Sequence, residues 1–140
     1  MDLTQVNISG LNLARFNLTG ANLFVANLKQ ADLTGAKLIV AKLIVAKLTG
    51  ADLTGAKLTE ADLTGAKLIV ANLTEAVLAG ANLTEAVLTR ANLTRANLRG
   101  AYRFKPDWTE VLLTEVLLTE ADLEGAILKG ATMPDGSIHN

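Results

Sequence analysis

Cysteine is absent from the 140 residues, histidine occurs once, proline twice, and aromatic side chains make up only 4%. Without cysteine there is no disulfide framework and no thiolate metal site. The single histidine, His139, is penultimate and leaves almost nothing for acid–base catalysis or metal binding. No apolar run approaches the roughly 18 residues of a membrane-crossing helix, and the opening MDLTQVNISG lacks the basic and apolar regions of a secretory leader. The chain therefore reads as soluble and cytoplasmic, with no membrane partner. Charge of one sign is lacking as well, because 13 basic residues face 14 acidic ones. That balance argues against a strongly basic nucleic-acid binder and weakens any reading as a polyanion that imitates DNA.

What the chain does have is a period. Written in rows of five from Met1, it places Leu, Ile or Met third in every row except those holding Arg103 and Trp108. Ala stands first in every row from Ala21 to Ala131 apart from Pro106, Val111 and Val116. A period of five suits neither an amphipathic helix nor a plain alternating strand. An Ala-x-Leu stretch whose first and third side chains face inward, followed by two residues that turn the chain, explains it. Thr-Gly, Thr-Glu and Ile-Val pairs in the fourth and fifth places make the corner. Four corners close a square coil of 20 residues, so the chain holds about seven coils.

The units ANLTE, ADLTG, AKLTG and ANLTR resemble the pentapeptide-repeat family over essentially the whole chain. The resemblance implies an all-β, right-handed quadrilateral parallel β-helix in one domain, residues 1–140. It implies no particular activity, since a fold shared by many proteins does not specify a function. Some relatives imitate duplex DNA and bind type II topoisomerases with strongly negative faces. Here Lys37, Lys42, Lys47, Lys57 and Lys67 interrupt such a surface, so that role is the weaker alternative.

Both ends depart from the consensus. Val6, Leu11 and Phe16 stand where Ala belongs in residues 1–20 and are expected to plug the lumen as a cap. Residues 131–140, with Pro134 and a Pro-Asp-Gly turn signal, are expected to stop strand addition. Residues 101–110 form an irregular coil. An inward Arg103 would be a buried unpaired charge, so the local facing is expected to invert, with Tyr102 or Phe104 taking apolar cover and Trp108 facing in or closing a bulge. As the one aromatic-rich place, Tyr102, Arg103, Phe104 and Trp108 are secondary candidates for a protein contact.

The main candidate surface lies elsewhere. Phe24, Val25, Ile39, Val40, Ile44, Val45, Ile69 and Val70 occupy fourth and fifth places, which face solvent in this frame. A contiguous apolar patch of that kind marks an interface. Self-association into a homo-oligomer is the expected use. The near-copies IVAKLIVAKL and LTEAVL are what duplication or deliberate design leaves.

Motifs with catalytic overtones fail on inspection. Gly50, Gly55 and Lys57 lack the Lys-Ser/Thr order of a phosphate loop, and five Asn-x-Ser/Thr sequons follow from the repeat. With no nucleophile beside a base, no ligand cluster and no cleft-forming insertion, the chain is expected to be non-enzymatic, without cofactor, metal or small-molecule substrate. A structural scaffold is the leading reading.

Overall fold

The computed structural model describes residues 1–104, 110–112, 129–132 and 137–140. The chain winds as a right-handed quadrilateral β-helix. Each side is a three-residue segment whose middle residue, the second place of the row, bridges in parallel to the residue 20 positions on. The columns are regular: Asp2, Asn22, Lys42, Asp62, Asn82 and Tyr102 run up one face, and Asn12, Asp32, Asp52, Asn72 and Asn92 up the opposite one.

The side length follows from the turn. The N–H of each first-place residue closes back on the third-place carbonyl, as Ala46 does on Leu43 at 3.0 Å. The fifth-place residue has positive φ in every row from Gln5 to Gly100, the sign pattern of a type II turn. Asn and Asp in second places brace these corners. The Oδ1 of Asp52 accepts the backbone N–H of Thr54 at 3.0 Å and its hydroxyl at 2.6 Å, and Asn72, Asn82 and Asn92 hold Thr74, Thr84 and Thr94 in the same way. This Asx geometry braces the corner through residues only two apart in the chain.

Inside, Leu and Ala alternate. From Ala21 to Ala101 every first- and third-place side chain is buried, most of them completely. Leu fills the axis and Ala keeps the backbone close at each corner, and among the described residues no polar side chain is buried in the core. Each buried Leu contributes on the order of 1.5–3 kcal/mol.

The 20-residue spacing does not continue unchanged to the C-terminus. The strand β1, Tyr102–Phe104, pairs antiparallel with β2, Glu110–Leu112, with Arg103 opposite Val111. Asn97 then bridges in parallel to Thr132, 35 residues on. Two residues account for the change. Pro106 occupies a first place and has no N–H for the corner bond, and Arg103 occupies a third place, where a charge would enter the lumen. Tyr102 still sits on Asn82 and is half-buried, while Trp108 and the side chains of Arg103 and Phe104 lie outside the described residues.

At the other end, Val6 is half-buried and packs against the core, while Leu11 and Phe16 are 50% and 55% exposed. His139 is paired. Its N–H donates to the Ala131 carbonyl at 2.9 Å, its carbonyl accepts the Gly130 N–H at 2.7 Å, and Ile138 bridges antiparallel to Thr132.

Candidate functional site

The structure sorts the eight apolar candidates into three corners. Phe24 and Val25 lie directly beneath Ile44 and Val45, tied by the Val25 N–H to the Ile44 carbonyl at 3.0 Å. Ile39 and Val40 occupy the preceding corner, separated from Ile44 by the single side Ala41–Leu43. Ile69 and Val70 sit apart, on the corner stacked between Gly50 and Thr89. Six of the eight therefore flank one face, and two do not join them.

Exposure divides each pair, the fifth-place valine being the exposed member of the three Ile-Val pairs and the fourth-place Phe24 that of the other. Phe24, Val40, Val45 and Val70 are 40%, 46%, 42% and 47% exposed, whereas Val25, Ile39, Ile44 and Ile69 are half-buried. The expectation that all eight face solvent holds in full only for the first four.

The four valines carry a backbone cost that sequence reading missed. Val25, Val40, Val45 and Val70 have φ of 58°, 50°, 57° and 51°, where an L-residue is disfavoured by roughly 1–2 kcal/mol and a β-branched one is an outlier. Gly35, Gly50, Gly55 and Gly65 fill the same place elsewhere without that strain. The three Ile-Val corners also follow Lys37, Lys42 and Lys67 in the second place, so they lack the Asn or Asp brace that Asn22 gives the Phe24-Val25 corner. The signal was in the sequence, as the fifth place of a five-residue turn unit is where glycine recurs.

Charge is distributed unevenly around the solenoid. Lys42 lies on the face between the apolar corners, Lys37 and Lys57 stack on one adjoining face, and Lys47 and Lys67 on the other. All five are exposed. Asp32 and Asp52 stack on the opposite face. The Thr34 backbone N–H, at 2.9 Å, and then its hydroxyl hold the Asp32 carboxyl below its ordinary range. The Thr4 hydroxyl and then its N–H do the same for Asp2. Among the described residues the one ion pair is Arg95 with Glu75 at 3.2 Å, on well-exposed side chains, and no group of three or more acids or histidines is placed to hold a metal. No helix among them is long and apolar enough to cross a membrane.

Comparison with known proteins matches the repeat itself. A family model, Pentapeptide repeats, matches eight copies over residues 2–38, 41–69, 71–102 and 106–135. Among solved structures the chain is similar to a pentapeptide repeat protein (Rfr23) of the cyanobacterium Cyanothece 51142. The two are 28% identical over 96% of this chain and 91% of that one, with a TM-score of 0.68. It is also similar to a pentapeptide repeat protein of the Arabidopsis thaliana thylakoid lumen, 30% identical over 98% and 83% of the two chains, with a TM-score of 0.47. A third is HetL, involved in heterocyst differentiation regulation in the cyanobacterium Nostoc sp. strain PCC 7120, 33% identical over 99% and 76%, with a TM-score of 0.32. No curated protein matches the chain.

Proposed function

The chain belongs to the pentapeptide-repeat family, and from that premise we propose that it is a non-catalytic cytoplasmic scaffold that associates with further copies of itself through the apolar corners flanking Lys42. One observation carries this reading. Val25, Val40 and Val45 hold a left-handed backbone that glycine adopts freely, yet Val40 and Val45 leave over two-fifths of their surface to water. Such a residue weakens the isolated coil and gains only when another surface covers it.

The lysines set the conditions. Two copies approaching by this face bring exposed Lys37, Lys42 and Lys47 near their counterparts, so association strengthens as salt screens the repulsion. The aromatic segment offers a second contact surface only if Trp108→Ala changes an interaction and not just stability. Imitation of DNA is disfavoured by the same charges, because among the described residues the bridging columns stack one pair of acids, Asp32 on Asp52, against two pairs of lysines, Lys37 on Lys57 and Lys47 on Lys67.

The test is an Ile44→Lys, Val45→Lys double variant compared with the parent by size exclusion and light scattering. The proposal expects the parent's assembly to dissociate to 14.7 kDa. An assembly that survives both substitutions refutes it.

A further inference from the structure

Beside the face proposed for self-association lies a second one of different composition. Its bridging column runs Asn7, Asn27, Lys47, Lys67 and Val87, and holds no acid among the described residues. The corner that opens this side carries Phe24, Val25, Ile44 and Val45, and the corner that closes it carries Lys29, Ile69, Val70 and Arg90. Lys29, Lys47, Lys67 and Arg90 are exposed, and none of them enters the one ion pair among the described residues. Exposed Val45 on one edge and exposed Val70 on the other therefore frame a strip of four positive charges. Successive coils at about 4.8 Å spread that strip along roughly 14 Å of the solenoid. Within residues 1–100, Glu85 is the one acid at these two corners.

We propose that this face docks on a bilayer surface rich in anionic headgroups. Apolar side chains at the edges of a basic strip gain by entering the boundary between headgroups and acyl chains, while lysine stems reach back so that each ammonium meets phosphate. Lys47 bridges directly to Lys67 on the neighbouring strand, an arrangement of like charges that is unfavourable in the isolated fold and is relieved by an anionic surface. Val70, with φ of 51°, adds backbone strain while 47% of it faces water. A protein that lies against the interface needs no crossing helix. The expectation of no membrane partner rests on crossing segments and secretory signals alone, and this contact revises it.

Comparison with the rest of the molecule selects both the face and the partner. The opposite face stacks Lys37 on Lys57 but carries large apolar side chains at one corner only, Ile39 with Val40, and Arg95 at its other corner is tied to Glu75. A nucleic acid gains from aromatic side chains on which bases stack, and the strip between the two corners has none. An extended acidic peptide covers the lysines and leaves an apolar edge in water, whereas a planar surface covers both edges at once. The contact shares the Ile44-Val45 corner with the self-association surface but does not depend on that reading. Salt separates the two, because it weakens attraction to anionic lipid and strengthens association between copies.

The experiment is co-sedimentation of the chain with vesicles of phosphatidylcholine, alone or mixed with phosphatidylserine, at low and high salt. Partition is expected onto the mixed vesicles only, and to fall as salt rises. Lys47→Gln with Lys67→Gln is expected to weaken it about 25-fold, at roughly fivefold for each lysine near an anionic surface. Lys37→Gln with Lys57→Gln removes the same charge from the opposite face and is expected to leave partition nearly unchanged. Ile69→Thr with Val70→Gly repeats the Thr49-Gly50 pair of the coil below, so the fold is kept, and is expected to weaken partition roughly tenfold. The proposal is overturned by partition onto neither kind of vesicle, by equal partition onto both, by an equal loss from the Lys37 and Lys57 substitutions, or by full partition after Ile69→Thr and Val70→Gly. Binding to soluble polyglutamate in place of vesicles would assign the strip to an acidic protein and overturn it as well.

Discussion

Truncating one lumen leucine at two heights measures what each coil owes to its neighbours. Leu53 and Leu13 occupy the same column on the same side of the square, two coils apart. Leu53 is fully buried between coils above and below, while Leu13 is only partly buried in the end coil. Leu53→Ala removes three carbons, worth roughly 2.4 kcal/mol at about 0.8 kcal/mol each. The ladders on both sides pin the backbone, so the cavity cannot collapse, and the total rises to about 3–4 kcal/mol, within the usual range for such truncations. Leu13→Ala opens no closed cavity and forfeits only part of the transfer energy, about 1 kcal/mol. Urea unfolding followed by circular dichroism, at the lowest usable protein concentration so that contacts between copies are dissociated, gives both values. Equal losses, or a loss below about 1 kcal/mol at Leu53, would refute the picture of stability as a sum over coils and their interfaces.

Other outcomes follow from the same frame. Ala51→Leu puts extra volume against a fully buried corner and is expected to cost at least about 1–3 kcal/mol in the same urea experiment. Asn72→Ala removes the acceptor for Thr74 and a donor to the Thr54 hydroxyl at 2.9 Å, and is expected to cost about 1–2 kcal/mol, whereas Asn12→Ala, exposed and with one bond, costs less. The Asp32 carboxyl is held below its ordinary value of 3.8 in the fold, so its contribution is complete above that value and is lost as pH falls through the folded one. Melting curves from pH 5 downward are expected to show a smaller drop for Asp32→Asn than for the parent. A supercoiling assay is expected to show no inhibition of a type II topoisomerase at micromolar protein, because paired lysine columns occupy the faces that imitation of DNA would need to be acidic.

Much of the architecture was legible because one constraint repeats. Ala and Leu at fixed places define the lumen, Asn and Asp in second places define the bridging columns, and twenty residues per turn place Phe24 under Ile44. The chemistry of the corner was less legible, since nothing in a hydropathy pattern distinguishes Ile44, which is half-buried, from Val45, which is exposed with a left-handed backbone. Arg103 and Pro106 announced an irregularity, but not that β1 and β2 pair antiparallel or that Asn97 meets Thr132, because those pairings join residues whose separation the five-residue count does not set. Leu11 and Phe16 show the same limit. Their size reads as a plug, while the structure leaves each of them about half exposed.

The measurement closest to the central claim is the molar mass of the unmodified chain in solution across protein concentration, at low and at high salt. The account predicts a mass that rises above 14.7 kDa with concentration and rises further when salt screens Lys37, Lys42 and Lys47. A mass of 14.7 kDa at every concentration and both salt levels would contradict it.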